Sequence, residues 1–236
     1  MSDKARKIVI AIDGPSGVGK STVSRLIAER FGFEYVDTGA MYRAVAVEAA
    51  GKGLDLDSDK ELAEFCKTII IHFTDNGTRI ILNGEDLSER IRTKEAGVQA
   101  SRSSALPSVR RFLVGLQREI GRGPGDGSHK SGGVVMEGRD IGTNVFKDAE
   151  LKIYLDADEK VRAGRRHGDY KSKEENRLSA ADVKEELAAR DRRDKERKLA
   201  PLAMAEDAVL IDTTGLGIDE VAGRIAALME ERGLTG

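Results

Sequence analysis

The chain has 236 residues and a formal net charge of −2, and its composition of 39% hydrophobic and 34% charged residues is typical of a soluble globular protein with one domain and some excursions. Its single cysteine, Cys66, excludes an internal disulfide framework and a cysteine metal cluster, and we interpret it as a buried thiol in a reducing compartment. No apolar run approaches the roughly 20 residues of a membrane span, so we expect a cytoplasmic protein without a signal peptide or membrane contact.

The first predicted elements surround a glycine-rich loop. The apolar run Ile8–Ile12 has the length of a buried strand, and Thr22–Phe31 places apolar residues at helical spacing. The intervening Gly14-Pro-Ser-Gly-Val-Gly-Lys-Ser21 fits the P-loop pattern in the strand–loop–helix context that the pattern requires. Backbone N–H groups of such a loop close around a polyphosphate, Lys20 reaches its outer phosphates, and the Ser21 hydroxyl can ligate Mg²⁺.

A second strand and helix follow at once. Phe33–Asp37 reads as a short strand, and a helix runs from Thr38 to about Lys52. This β-α-β-α opening predicts a parallel sheet, whose ligands lie beyond the carboxyl ends of the strands. Thr38 and Arg43 would lie there, although a plain N-cap and a solvated helix face explain them equally well.

The next segment predicts a small antiparallel sheet. A short helix over Ser58–Lys67 precedes two strand-like runs, Ile69–Thr74 and Thr78–Leu82, and the Asn76-Gly77 pair between them is a strong hairpin signal. Glu85–Ser88 could extend the sheet. Because antiparallel pairs do not belong in a parallel core, we interpret this sheet as an inserted subdomain.

Helices and the remaining core strands complete the predicted fold. Pro107 starts the second of two helices, and the glycine-rich stretch Gly121–Gly133 is predicted to be a surface loop. The predicted elements are helices over Thr93–Ser104, Ser108–Ile120 and Ile218–Glu231, and strands over Val134–Met136, Leu151–Leu155 and Val209–Ile211. The parallel sheet therefore has five strands.

A basic excursion separates the last two strands. Residues 160–198 contain 14 Lys/Arg and 9 Asp/Glu, a charge of +5 on a chain that is otherwise −7. We predict helices over Asp158–Arg166 and Ala180–Lys198, joined by a polar turn over His167–Glu175. The second helix carries Arg190, Asp194 and Arg197 on one face. Charge alone leaves open whether this is an anion site or a salt-bridged pair of helices.

Arginines in three separate places exceed what one nucleotide on a P-loop requires. Arg43, Arg139 and the Arg190/Arg197 face together suggest a second phosphorylated ligand in line with the first, as phosphoryl transfer needs. A GTPase is disfavoured because the chain lacks an Asn-Lys-x-Asp motif. An ATP-dependent nucleic-acid-binding switch is the alternative from another class, but four Tyr, six Phe and no Trp offer few stacking platforms.

Five motifs, in order along nearly the whole chain, resemble the bacterial cytidylate kinases, a family of nucleoside monophosphate kinases. They are Ile12–Ser21, Asp37-Thr-Gly-Ala-Met-Tyr-Arg43, Ile91-Arg-Thr93, Glu137-Gly-Arg-Asp-Ile-Gly-Thr143 and Arg190–Arg197 followed by Ala200-Pro-Leu202. Two features depart from the family: the Gly121–Gly133 loop is longer than expected, and Thr38 stands where many members have serine. The threonine keeps the hydroxyl.

The resemblance implies a role for each matching position. It implies ATP with Mg²⁺, and CMP or dCMP, as the ligands. The implied ATP-binding residues are Gly14, Pro15, Ser16, Gly17, Val18, Gly19, Lys20, Ser21 and Thr22, with Ser21 as metal ligand. The implied CMP-binding residues are Thr38, Tyr42, Arg43, Ser101, Arg110, Arg139, Asp140, Arg190, Asp194 and Arg197. The implied catalytic residues are Lys20, Arg139, Arg193 and Arg197, with Arg162 and Arg166 also near the transferred group.

Within the acceptor site, each group has an implied contact. Arg43, Arg139, Arg197 and Thr38 would hold the CMP phosphate, and Arg190 and Asp194 the ribose. Asp140, held ionised near Arg139, would accept from the cytosine amine, with Ser101 and Arg110 as the other readers of the base.

We therefore expect an α/β P-loop three-layer fold: a parallel five-stranded sheet, an inserted monophosphate-binding subdomain and a helical lid. The predicted boundaries are about 1–61, 105–157 and 199–236 for the core, 62–104 for the insertion and 158–198 for the lid. The expected reaction transfers the γ-phosphoryl of ATP to CMP or dCMP, in a monomer that binds no nucleic acid. A uridylate or adenylate kinase is the alternative within the class.

Overall fold

The structure, a computed structural model, describes residues 7–123, 132–171 and 179–235. Its strands are β1 (Ile8–Asp13), β2 (Glu34–Asp37), β3 (Ile71–Thr74), β4 (Arg79–Leu82), β5 (Glu85–Asp86), β6 (Gly133–Gly138), β7 (Leu151–Asp156) and β8 (Val209–Asp212). Its α-helices are α1 (Lys20–Phe31), α2 (Thr38–Gly51), α3 (Asp59–Cys66), α4 (Lys94–Ser103), α5 (Pro107–Arg122), α6 (Glu159–Lys171), α7 (Ala180–Glu196) and α8 (Ile218–Glu231). Arg90–Arg92 form a short 3₁₀ helix, and Ile141–Val145 form a single π-helical turn. None of the helices in these ranges is long and apolar enough to cross a membrane.

The large sheet has five strands in the order β2-β6-β1-β7-β8, and all four neighbouring pairs are parallel. The predicted parallel five-stranded sheet is thus confirmed. Strands β2 and β6 lie on one side of β1, and β7 and β8 lie on the other, so the winding reverses at β1. In open α/β sheets, ligands bind outside the carboxyl ends of strands at such a reversal.

Alternate residues of the central strands face the two helical layers, as the two-residue period of a strand dictates. Val9 and Ala11 face the apolar cluster that contains residues of α2, α3 and α5. Ile10 and Ile12 face the cluster that contains residues of α1 and α8. Because both faces of the sheet are covered, the strands read as nearly continuous apolar runs in the sequence.

The small sheet consists of β3, β4 and β5 in antiparallel order, so the predicted hairpin and its extension are confirmed. Its Ile71, Ile80 and Leu82 belong to the same apolar cluster as Val36 and Met41 of the large sheet's layer. The small sheet is therefore separate in its hydrogen bonding but continuous with the core in its packing. The boundaries of an inserted subdomain at 62–104 stay a prediction.

Within the described part of the chain, helices α6 and α7 pack on each other through a small apolar cluster, Ala163, Val183 and Leu187. Helix α7 begins at a capping box, in which the Ser179 side chain accepts from the Asp182 N–H and the Asp182 carboxylate accepts from the Ser179 N–H. This helical pair is the region predicted as a lid.

Three predicted boundaries need comment. Helix α6 continues to Lys171, so the polar turn predicted to begin at His167 is wrong at that end, because the penalty of roughly 1 kcal/mol for Gly168 does not end a helix by itself. Helix α1 begins at Lys20 rather than Thr22. Of the loop predicted over Gly121–Gly133, the first residues are helical and the last begins β6, while residues 124–131 lie outside the described ranges.

Gly77 is the residue through which the hairpin turn contacts the large sheet. Its φ is 80°, and a Cβ there would lie 2.0 Å from the Tyr35 carbonyl oxygen. Gly84 has nearly the same φ, 85°, but its Cβ would meet open space. Gly77→Ala should lower the free energy of unfolding by about 2–3 kcal/mol, and Gly84→Ala by about 1 kcal/mol, since only the first adds a collision to the backbone strain.

Urea unfolding of both variants and of the wild type measures this difference. Gly84→Ala is the matched control for backbone strain. Equal losses in the two variants would show that the turn does not press against β2.

Candidate active site

The P-loop wraps around the N-terminus of α1, at the carboxyl end of β1. Gly14 has a φ of 147°, and a Cβ there would lie 2.1 Å from the Leu155 carbonyl oxygen, so only glycine fits. The Lys20 ammonium donates to the Gly14 and Pro15 carbonyl oxygens at 2.8 and 2.6 Å. The first turn of α1 has no acidic residue, and its unpaired N–H groups form a place for an anion.

Burial, and next the Arg139 charge, lower the pKa of Lys20 to about 7. Bound phosphates would reverse this effect, because they place negative charge beside the ammonium. The Lys20 side chain is 7% exposed, and so it is already held in the geometry that a phosphate would find.

One cavity of about 280 Å³ joins the P-loop to the carboxyl ends of β2 and β6 and to helices α4 and α7. Seven cationic and four acidic side chains line it, so their formal charges sum to +3. The cationic residues are Lys20, Arg43, Arg92, Arg139, Arg166, Arg190 and Arg197, and the acidic residues are Asp37, Glu137, Asp140 and Asp194. Such an excess in a partly enclosed space favours an anionic ligand larger than the P-loop alone would hold.

The structure brings most of the sequence-predicted site residues to this cavity. Those that line it are Ser16, Gly17, Gly19, Lys20, Ser21, Thr22, Thr38, Tyr42, Arg43, Ser101, Arg139, Asp140, Arg166, Arg190, Asp194 and Arg197. Gly14 and Pro15 lie behind them as acceptors for Lys20, and Val18 is buried in the apolar cluster beside α1. Arg110, Arg162 and Arg193 do not line it.

At the end of β2, Asp37 organises the start of α2. Its carboxylate accepts from the Ala40 N–H at 2.9 Å as the N-cap and pairs with Arg43 at 3.0 Å. Thr38 is therefore not the N-cap: its hydroxyl donates to the Glu137 carbonyl oxygen at 2.7 Å, which ties α2 to the end of β6. The hydroxyl oxygen keeps lone pairs that face the cavity.

Arg139 and Asp194 form a buried pair across the cavity, with Arg139 Nε donating at 3.0 Å. Burial opposes ionisation of Asp194, but Arg139 and its neighbouring arginines hold the pKa of the carboxyl below its ordinary value. Arg190 lies beside this pair, and its burial, followed by the Arg139 charge, lowers the pKa of its guanidinium to about 10. Arg190 is thus charged at neutral pH, and the Asp194 carboxylate counteracts the lowering of its pKa.

Asp140 is held by partners other than the predicted one. Its carboxylate pairs with Arg110 and accepts from Arg197 Nη2 at 3.3 Å and Asn144 Nδ2 at 2.9 Å. The expected contact between Arg139 and Asp140 is therefore not formed, because the π-helical turn directs Asp140 towards α5 while Arg139 pairs with Asp194 on α7. Arg110 also lies 5.8 Å from the centre of the Tyr42 ring, as a cation–π pair.

The predicted lid contacts both halves of the cavity. Arg162 pairs with Asp191 and also donates to the Ser16 carbonyl oxygen at 3.3 Å. The Ser16 N–H donates to the Asp191 carboxylate, also at 3.3 Å. On the other side, Arg193 Nε donates to the Ser101 hydroxyl at 3.0 Å. The structure thus places Arg193 beside Ser101, and the catalytic role of Arg193 and the base-reading role of Ser101 stay predictions.

Glu137 is a site residue that the sequence reasoning missed. It is the next-to-last residue of β6, is 3% exposed, and its Oε1 accepts from the Tyr35 hydroxyl at 2.5 Å. Burial, and next the Asp37 charge, raise the pKa of Glu137, while hydrogen bonds from Tyr35 and Ser21 oppose this shift. The available signal was an acidic residue directly after three buried apolar ones, at the sheet edge where the P-loop lies.

A parallel sheet that winds outward from a P-loop strand, with a cationic cavity beside that loop, defines a P-loop phosphotransferase of the α/β class. The sequence model of cytidylate kinase matches residues 10–231. The chain belongs to the cytidylate kinase family.

Curated relatives agree over almost their whole length. The chain is 47% identical to a cytidylate kinase of Syntrophotalea carbinolica over 229 residues, which cover 96% of this chain and 94% of that protein. It is 46% identical to one of Thermotoga neapolitana, covering 94% and 97% of the two chains, and 43% identical to one of Bacillus subtilis, covering 96% and 98%.

Among solved structures, an uncharacterized protein of Eubacterium ventriosum shares the fold. Its TM-score is 0.51 at 12% identity, with 95% of this chain and 99% of that chain covered. This likeness concerns the fold alone.

Proposed function

We propose that the protein transfers the γ-phosphoryl group of ATP to CMP or dCMP, which yields ADP and CDP or dCDP. The observation that carries the proposal is the continuity of one cationic cavity from the P-loop to the Asp140 and Ser101 side chains. Phosphoryl transfer requires two phosphate-bearing ligands in line, with the charge of the moving group neutralised by fixed cations. Membership of the cytidylate kinase family supports this assignment.

The donor half of the site is the P-loop. Amides at the α1 N-terminus would bind the outer phosphates of ATP, and Lys20 would exchange its carbonyl partners Gly14 and Pro15 for phosphate oxygens. The Arg162–Asp191 pair, bonded to Ser16 on both sides, would seat the lid on the loop and keep water out.

Two oxygen-bearing side chains at the P-loop also fit a magnesium ion. Ser21 and Glu137 both line the cavity beside the P-loop, and their hydroxyl and carboxylate are hard oxygen donors of the kind that Mg²⁺ takes together with phosphates. Bound Mg²⁺ would neutralise charge on the β- and γ-phosphates. Ser21 would hold it directly, and Glu137 would act as a carboxylate partner fixed by Tyr35.

The acceptor half divides into a phosphate and a nucleoside part. Arg43, Arg139 and Arg197 surround the space next to the Thr38 hydroxyl, and we assign them to the CMP phosphate. Arg190 and Asp194, on the same face of α7, would contact the ribose.

The base would lie between Asp140 and Ser101. Cytosine presents an amine donor and a ring acceptor where uracil presents the opposite pattern, so the Asp140 carboxylate can accept from cytosine and meets a carbonyl in uracil. Arg110 and Arg197 pair with this carboxylate and fix its position. Closure of residues 158–198 over both ligands, and action as a cytoplasmic monomer, stay predictions.

Lys20→Ala tests the donor half. Loss of the ammonium should lower kcat by at least about 10²-fold, since a single fixed charge contributes that much to such transition states. A coupled ADP-release assay with CMP, dCMP, UMP, AMP and GMP gives both the rates and the acceptor preference. Lys67→Ala, which removes an exposed lysine paired with Glu64, is the matched control. Wild-type turnover by a folded Lys20→Ala protein would contradict the assignment, as would an acceptor preference other than CMP or dCMP.

Arg110→Met tests how the base is read. Without the Arg110 partner, the Asp140 carboxylate is less firmly oriented, so the CMP/UMP ratio of kcat/KM should fall by roughly 10- to 100-fold, while ATP binding stays near wild type. Arg111→Met is the control, because Arg111 is the exposed neighbour on α5. A ratio that Arg110→Met leaves unchanged would place the base pocket elsewhere.

Tyr35→Phe tests the role of Glu137 through pH. The Tyr35 hydrogen bond lowers a pKa that burial raises, so its removal should raise the pKa of Glu137 further. The carboxylate form exists only above this pKa. The acidic limb of the kcat/KM profile should therefore move to higher pH, with weaker apparent Mg²⁺ affinity at a given pH below neutrality. An acidic limb and a Mg²⁺ affinity identical to those of wild type would exclude Glu137 from metal binding.

A further inference from the structure

Asp13 is a buried carboxylate that the assignments above leave unused. It is the last residue of β1 and directly precedes Gly14, the first residue of the P-loop. It is 4% exposed and does not line the cavity. Its Oδ1 accepts from the Ile141 N–H at 2.9 Å and its Oδ2 from the Gly142 N–H at 2.8 Å.

These two amides begin the π-helical turn, and the first N–H groups of a helical turn have no partner within the turn. Asp13 satisfies both of them at once. At the other end of the turn, Arg118 donates to the Val145 and Asn144 carbonyl oxygens at 3.0 and 2.9 Å. One five-residue turn is thus fixed at both ends by side chains from other elements.

The π-helical turn also determines the positions of the two residues that precede it. Asp140 immediately precedes the turn and accepts from Asn144 within it. Arg139, one residue earlier, reaches Asp194 of α7. Single π-helical turns of this kind occur frequently at functional sites.

No neutral side chain of similar size can replace the carboxylate. An asparagine offers one acceptor oxygen and would turn its NH₂ group towards the second amide donor. Burial, the largest cause, raises the pKa of Asp13 to about 6, so keeping it ionised at neutral pH costs free energy that an apolar residue would avoid. We interpret this cost as the consequence of a structural role: the Asp13 carboxylate joins β1, the strand before the P-loop, to the π-helical turn.

We propose that Asp13 is a positioning residue for the acceptor nucleotide. By fixing the turn to the end of β1, it sets Arg139 and Asp140 at a defined distance from the P-loop, so that the CMP phosphate and base are aligned with the group that the loop holds. This inference rests on the proposed function, which supplies the ligands.

Asp13→Asn is the direct test. KM for CMP should rise by at least about tenfold and the CMP/UMP ratio of kcat/KM should fall, since a buried donor loses its partner. The dissociation constant for ATP, measured by calorimetry without acceptor, should stay within about twofold of wild type, because Asp13 does not line the cavity and its hydrogen bonds go to the turn rather than to the P-loop. Asp86→Asn is the control: Asp86 also accepts from a backbone N–H, that of Ser88, but lies in the small sheet away from the cavity.

Arg118→Met loosens the other end of the same turn and should give the same split between CMP and ATP. It keeps the proposal testable if Asp13→Asn does not fold. Normal KM and base preference in a folded Asp13→Asn protein, or in Arg118→Met, would overturn the proposal. Equal weakening of CMP and ATP use would also overturn it, because it would indicate a general loss of structure.

Hydrogen exchange separates this inference from the proposed function. The peptide that spans the π-helical turn should exchange faster in Asp13→Asn than in wild type, whether or not CMP is the acceptor. An inactive wild type with faster exchange in the variant would refute the proposed function, and with it the alignment of CMP, while showing that Asp13 fixes the turn. An active wild type with unchanged exchange in the variant would refute the positioning role alone.

Discussion

Repulsion between arginines is the constraint on which this site depends. Guanidiniums that converge on one partly buried cavity raise one another's electrostatic free energy, and at Arg190 this repulsion adds to burial, the larger cause of its lowered pKa. Three carboxylates offset this repulsion by pairing with arginines of the site: Asp37 lies beside Arg43, Asp194 beside Arg139 and Asp140 beside Arg197. Each pair fixes the geometry of its arginine before any ligand arrives. Preorganised charges of this kind stabilise a transition state without having to reorganise.

The winding of the sheet explains why these pairs can form. β1 and β6 are parallel neighbours, so the residues that follow them, Gly14 and Arg139, leave the sheet at the same edge. Asp13 and the π-helical turn bridge these two exits. The donor and acceptor halves of the site therefore share one rigid support, although more than a hundred residues separate them in sequence.

Much of this arrangement could be read from the sequence. The P-loop, the hairpin at Asn76-Gly77 and the closing helix are local patterns, and local patterns carry their own backbone preferences. The partner of Asp140 was not local: Arg139 is adjacent in sequence, but the π-helical turn points the carboxylate to Arg110 and Arg197. No periodicity announces a single π-helical turn, since its stability here comes from Asp13 and Arg118 on distant elements. Glu137 was missed for a related reason, because its role follows from Tyr35 and Ser21 rather than from its own surroundings in sequence.

The three-residue apolar cluster between α6 and α7 has a consequence for how this part of the chain responds to its solvent. Ala163, Val183 and Leu187 together bury only enough apolar surface for a few kcal/mol, on the order of 1.5–3 kcal/mol for each larger side chain. Polar contacts add to this cluster, and the pair of Arg162 on α6 with Asp191 on α7 is buried, so salt screens it less than an exposed pair. We expect a phosphate ligand to stabilise the helical pair more than a change of ionic strength affects it, because α7 carries Arg190, whose pKa is lowered by burial and then by the Arg139 charge. The substrate would then contribute to the stability of this region as well as take part in the reaction.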